Sequence, residues 1–280
     1  MKKEVVEFQT LLKFETNRKL VGVKFIYDKE EYNSVDIKEA THQMFFCMMI
    51  KAATVGHSMK VKKEHIYCSA AAEVLGFTEI SWKTKTGRTQ YERNMYGTEK
   101  ASFDIANSNP YLEHNIFGMC IQPLEDFKYS PDMVIAFCNP YTAMRIIQGY
   151  SYFFGLAKQI GFCGMGGVCT ELLARSYKNQ DLNISFLCSG TRFAAGWKDD
   201  EVGVSFPYHM FERILEGVRC TVNTFEPDDK KNEILQRAKK NGILVDIKED
   251  TNYYESSLGV AKMGTIGYRK KCKKEKNVYE

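Results

Sequence analysis

No apolar run in this 280-residue chain is long enough to cross a membrane. The longest strictly apolar one is seven residues, Met44 to Ile50, against about 20 for a spanning helix. The opening MKKEVVEFQT places Glu4 and Glu7 where an export signal needs its apolar core, so a cytoplasmic protein without a membrane partner is expected. Strong charge of either sign is also missing. With 39 basic and 35 acidic residues the net charge is +4, too mild to imply nucleic acid as a partner. The single dense basic cluster, Arg269 to Lys276, has no aromatic residues interleaved and reads as a solvated tail. Hydrophobic residues at 44% and charged residues at 26% exclude a disordered chain, a collagen-like repeat and a long coiled coil.

The common catalytic signatures are absent too. There is no G-x-S-x-G. The five histidines (His42, His57, His65, His114 and His209) make no H-E-x-x-H. No C-x2-C knuckle occurs, the closest cysteine pair being Cys163 and Cys169. Serine hydrolase, kinase and ordinary dehydrogenase readings therefore lack their carriers.

Cysteine itself is abundant. Nine residues, an odd number with no export signal ahead of them, read as reduced cytosolic thiols rather than a disulfide framework. Around them strand and helix patterns alternate. Strands are expected at 21–26, 65–68, 79–84, 118–121, 133–138, 183–188, 202–206 and 243–247. Helices are expected at 36–55, 69–75, 140–154, 169–177, 208–220 and 228–241. Asn139 followed by Pro140 is the strongest helix start.

Two stretches resemble one another. Cys47, a helix, HIYC ending at Cys68 and then SAAAEVLGF are matched by Cys169, a helix, NISFLC ending at Cys188 and then SGTRFAAGW. The expected fold is α/β, a mixed sheet built from two related halves (about 15–120 and 130–222) within a single domain, 1–224. Residues 225–280 would form a C-terminal appendage with the basic tail. A pseudo-twofold would bring Cys47, Cys68, Cys169 and Cys188 together. Four thiolates suit an iron–sulfur cluster or, less well, zinc; equally, cysteines of this kind simply pack in cores.

CGMGGVC, residues 163–169, is the most distinctive local segment. Its Gly164, Gly166 and Gly167 could turn backbone N–H groups toward an anion or cofactor, or just make a tight turn. It is neither a dinucleotide fingerprint nor a P-loop, since it follows a helix and no Lys-Ser/Thr comes after it. In CSGTR, Gly190 permits close backbone approach and Arg192 could grip a carboxylate or phosphate, or pair with Asp199, Asp200 or Glu201. Cys163, Glu171 and Arg192 are the catalytic candidates. Cys163 is the reactive thiol of a thiol-enzyme reading, and Glu171 would orient a ligand or act as a base.

These same residues carry a family resemblance. VGVKFI (21–26), Cys47 with IKAATVG after it, HIYCSAAAEVLGF (65–77), PDMVIAFCNPYTAM (131–144), GMGGVCTE (164–171), FLCSGTR (186–192) and DDEVGVSFP (199–207) together resemble the prokaryotic family known as domain of unknown function 169. Its members share cysteines matching Cys47, Cys68, Cys169 and Cys188 and an arginine matching Arg192, and occur largely in anaerobes and archaea. The resemblance brings no settled activity.

The expectation is thus an intracellular protein of anaerobic metabolism holding an iron–sulfur cluster and an anionic small molecule, with redox or sulfur-transfer activity and with homo-oligomeric assembly left open. The alternatives are a non-catalytic tetrapyrrole or flavin module, whose pocket the 13% aromatic content would line, and the Cys163 thiol enzyme.

Overall fold

The computed structural model describes residues 1–14, 18–248 and 253. Its centre is a six-stranded sheet of β1 (Val21–Ile26), β2 (Met59–Lys62), β3 (Gly118–Pro123), β4 (Met133–Cys138), β5 (Asn183–Ser185) and β6 (Val202–Pro207). The strand order is β2-β3-β1-β4-β6-β5. All five ladders are antiparallel; parallel pairing is confined to two isolated bridges, Glu39 with Lys60 and Met44 with Ile66.

That order is palindromic about the central β1–β4 pair. Reading outward from the central β1–β4 pair, β1, β3 and β2 meet their counterparts in β4, β6 and β5. Register agrees as well. Val21 opposes Pro123 in one half and Met133 opposes Pro207 in the other. Met59 opposes Ile121, and Asn183 opposes Ser205. Both β3 and β6 end in proline, and each runs directly into a short 3-10 turn (Leu124–Asp126 and Tyr208–Met210). A one-residue slip would turn every side chain to the wrong face, so the matched register gives the two sides of the sheet like strand arrangements.

Helices cover both faces. One face buries Val21, Val23, Phe25, Met119, Ile121, Met133, Ile135 and Phe137 under Phe46, Met49, Ile50, Val168 and Leu172. The other buries Val134, Ala136, Val204 and Phe206 under Phe8, Ile146, Phe211 and Ile214. The period-two alternation within β4 feeds the two cores in turn. On the second face helices Pro140–Phe154 and Phe211–Phe225 cross at Gly149 and Gly217, where a Cβ on Gly217 would lie 2.0 Å from the Gly149 carbonyl oxygen. The C-terminal helix Asp228–Asn241 lies against the N-terminal helix Lys2–Leu11: Arg237 Nε donates to the Thr10 carbonyl (3.0 Å) and Asn241 to Thr10 Oγ1 (2.8 Å). The basic tail expected at 269–276 lies outside the described residues.

Several local expectations change. The helix expected over 36–55 starts at Phe46. Residues before it run beside β2 instead, with Ala40 N on the Lys60 carbonyl (3.0 Å) and Lys60 N on that of Lys38 (3.0 Å); edge pairing overrides the local Asp36/Glu39 cap signal. HIYC is not a strand but a 3-10 turn and extended link after β2. Residues 79–84 and 243–247 form no strand; Trp82–Lys85 is a helical turn. Between the first half's Ser69–Val74 helix and β3 stand further helices at Arg88–Glu92 and Glu99–Ser108. The second half has no equivalent there and passes from Ser189–Ala195 almost directly into β6.

Candidate functional site

Four of the cysteines stand at helix starts. Cys47 is the second residue of helix Phe46–Thr54, and Cys169 the third of a π-helical segment, Gly167–Ala174. Cys68 and Cys188 are the N-cap residues of helices Ser69–Val74 and Ser189–Ala195. All four are free thiols of intermediate burial. Cys47, Cys68 and Cys169 pack against the same core. A π-helical segment is uncommon and recurs at functional sites.

The Cys47 thiol is pushed up to about 11, by burial first and then by Cys188, with Cys68 adding a smaller upward push. Cys169 is raised as well, by burial first and then by Cys188, Cys68 and Cys47. Cys188 accepts from Thr191 N (3.4 Å) and lies 3.0 Å from Thr191 Oγ1. Cys169 Sγ donates to the Gly166 carbonyl at 3.6 Å. Among the described residues no three His, Cys, Asp or Glu side chains stand in ready-made metal-holding geometry, so joint ligation would require rotation of these side chains.

Backbone features crowd around Cys188. Leu187, just before it, has φ +67°, a left-handed conformation that costs a non-glycine residue about 1–2 kcal/mol. Leu187 N donates to Ser185 Oγ at 2.9 Å, which helps fix that turn. Such strain gathers at sites where geometry matters to function. Gly167 must lack a side chain, because a Cβ there would come within 2.9 Å of Cys188 N and 3.1 Å of its sulfur.

The remaining expected site residues have other work. Glu171 is 1% exposed. Its Oε1 accepts from the backbone N–H groups of Cys163 (2.7 Å) and Gly164 (2.9 Å), and its Oε2 from Ser185 Oγ (2.5 Å). The glycine-rich turn thus does turn two amides toward a carboxylate, and the carboxylate is the chain's own. Gly164 has φ +74° with open space around it, whereas a Cβ on Gly166 would meet the Thr170 side chain at 2.6 Å. Gly190 is exposed, its Cβ position 3.9 Å from Cys188 Sγ. Arg192 makes no ion pair with Asp199, Asp200 or Glu201 side chains; its guanidinium donates to the carbonyls of Lys198, Phe186 (2.9 Å) and Glu201 (3.1 Å) and ties its helix to the entry of β6. Cys163 is exposed, and its thiol is pushed up chiefly by burial against the loop and by Glu171, partly offset by hydrogen bonds from the Met165 backbone and Tyr96. That is the reverse of an activated nucleophile. Cys120 and Cys138 are fully buried.

Sequence reading passed over Thr191, Leu187 and the stack that closes this end of the sheet. There Trp197 lies 3.9 Å from the Phe137 ring, with Arg18 at 4.8 Å over its plane. Arg18 is in turn held at 2.7 Å by the buried Glu201 carboxylate. For Thr191 a signal did exist: a hydroxyl three residues after a cysteine N-cap.

Comparison with known proteins agrees with this layout. Residues 8–217 match the profile of domain of unknown function 169, described as "Uncharacterised ArCR". The chain belongs to this family. The match takes in both halves of the sheet and all four site cysteines. An uncharacterised protein of Methanocaldococcus jannaschii is 26% identical over 214 residues, covering 72% of this chain and 87% of that protein. No solved structure matches significantly. Among the described residues no helix is long and apolar enough to cross a membrane.

Proposed function

We propose that Cys47, Cys68, Cys169 and Cys188 jointly ligate a metal centre, an iron–sulfur cluster in preference to zinc. One arrangement supports this: the two sides of a palindromic sheet carry four free thiols, all at helix starts, three of them packed against one core. A packing role alone would not require thiols at all four equivalent positions, since small apolar residues fill such space without the redox liability. A soft four-sulfur donor set suits iron–sulfur or zinc. A bound cation would reverse the repulsion that now disfavours more than one thiolate here.

The site is not sealed. Ser69, Ala70, Ser189 and Gly190 are exposed beside it, and Tyr67 (63%), Phe186 (54%) and Phe193 (90%) stand out into solvent nearby. A small molecule, anionic on the sequence reading, would approach here. Arg192 does not serve it, because its donors are committed to carbonyls. Cluster-based redox or sulfur transfer in the cytoplasm of an anaerobe is the corresponding activity. The exposed aromatic rim gives the tetrapyrrole or flavin module its one point of support.

Anaerobic purification with absorbance, iron, zinc and acid-labile sulfide analysis tests the proposal. Iron and sulfide in the wild type, reduced on substituting any of the four cysteines by serine, are expected. An iron-free, zinc-free and sulfide-free protein contradicts it, and an organic chromophore without sulfide favours the cofactor module.

A further inference from the structure

Between helix Ser69–Val74 and β3 the chain inserts three helices that the other side of the sheet lacks, Trp82–Lys85, Arg88–Glu92 and Glu99–Ser108. They pack on one another and border a cleft of about 360 Å³, within the range of about 300–1,000 Å³ for small-molecule sites. Trp82, Tyr91 and Phe103 line it together with Arg88, Glu99 and Lys100. Its floor is fixed by Gly87, which has φ +71° and room for no Cβ, since one would lie 2.4 Å from the Ser102 carbonyl oxygen. The buried Ser102 hydroxyl donates to the Gly87 carbonyl at 2.6 Å. Arg88 ties the second helix to the third, with Nε on Glu92 (2.9 Å) and Nη1 on Glu99 (2.8 Å).

The aromatic walls are spare. Trp82 is 68% exposed and Phe103 48%. Among the described residues no other ring and no cation packs on Trp82, Tyr91 or Phe103, so their faces are free to stack on a guest. Charge decides the sign of that guest. Two cations line the cleft against one carboxylate, and that carboxylate, Glu99, is already held by Arg88. A cationic guest would meet net repulsion. An anionic one can take Lys100, whose pair with Asp104 (2.5 Å) is an exposed contact one helical turn away that contributes little. We propose that this cleft binds a planar heteroaromatic ring carrying an anionic group, a mononucleotide-type ligand, with the ring against Trp82 and Phe103 and the anion at Lys100. Base–aromatic stacking tolerates different rings because each presents a π-face. Nothing in this site depends on the cysteines.

The chain's two tryptophans make the test selective, because the other, Trp197, is 3% exposed and stacked on Phe137. Tryptophan emission of the wild-type protein is titrated with AMP and FMN and with their phosphate-free counterparts, adenosine and riboflavin. Saturable quenching by AMP or FMN is expected, and whichever binds sets the ring size. In Trp82→Phe the quenching should vanish while binding persists in equilibrium dialysis. Trp82→Ala should bind about 5–150-fold more weakly, the worth of one base–aromatic stack. Lys100→Ala should weaken the phosphate-bearing ligand and leave its phosphate-free counterpart unchanged. If Trp82→Ala does not fold, Phe103→Ala reads the same loss by dialysis. No saturable quenching and no retention in dialysis with any of the four compounds would overturn the site. Unweakened binding in both alanine variants of the aromatic wall would overturn the stacking role. Equal affinity for nucleotide and nucleoside, or wild-type nucleotide affinity in Lys100→Ala, would overturn the anionic class.

Discussion

Replacing Gly167 by alanine probes the thiol site with the smallest possible change. Gly167 opens the π-helical segment directly behind Cys188. The added methyl would stand 2.8 Å from Thr191 Oγ1, 2.9 Å from Cys188 N and 3.1 Å from Cys188 Sγ. Ordinary contacts of this kind need about 3.5 Å or more. Of the three neighbours, a backbone nitrogen can move only with the helix it caps. Relief must therefore come from shifting Cys188 and Thr191 together. Overpacking of this sort costs about 1–3 kcal/mol, which for a chain of this size lowers the thermal midpoint by roughly 2–10 °C. Because the atoms displaced belong to the proposed ligand set, metal affinity should fall in the same variant, by about 10–100-fold. Circular dichroism melts and cobalt titration measure the two effects. Gly97→Ala is the control: nothing lies within 4 Å of its Cβ position, and the change should be neutral or stabilising by about 0.4–1 kcal/mol. A Gly167→Ala protein that melts with the wild type and binds cobalt as tightly would refute the packing argument.

Other outcomes follow from single residues. Glu171→Ala strips the acceptor from two amides and a hydroxyl at once, so it should cost at least about 2 kcal/mol, and hydrogen exchange should show Cys163 and Gly164 amides losing protection; unchanged protection would contradict the loop-anchoring role. Arg192→Ala should lose about 1.5–3 kcal/mol in urea unfolding, with Arg192→Lys a poor substitute because one ammonium cannot span three carbonyls. Loss of ligand binding with full stability would instead restore the anion-binding reading of Arg192. Cys163 has its thiol pushed up by burial, so its alkylation by iodoacetamide at pH 7 should be slower than that of a free cysteine. Peptide mapping that finds faster-than-free alkylation at pH 7 would argue for the thiol-enzyme alternative.

How far the sequence discloses this protein differs from element to element. Strands β1, β4 and β6 and helix Pro140–Phe154 are legible because apolar composition and the Asn139–Pro140 start agree with the final environment. The paired cysteine spacing is legible as a repeat, and the palindromic sheet explains why. The stretch at 36–45 misleads, because its local cap and periodicity favour a helix while the edge of β2 offers backbone partners that win. MKVK at 59–62 is a strand whose alternation is present in the sequence, Val61 inward and Lys62 outward, but too short to stand out. The fates of Arg192 and Glu171 are not legible: both are ionisable residues beside the proposed site whose partners, three carbonyls and two amides, are backbone groups that no side-chain pattern announces.

The most direct test of the central claim is X-ray absorption at the metal edge of anaerobically purified protein. The account predicts a first shell made entirely of sulfur at about 2.3 Å, with the protein-derived share reduced in a Cys68→Ser or Cys188→Ser variant. A shell of nitrogen and oxygen only, a sulfur shell unaltered in both variants, or no stoichiometric metal at all would contradict it.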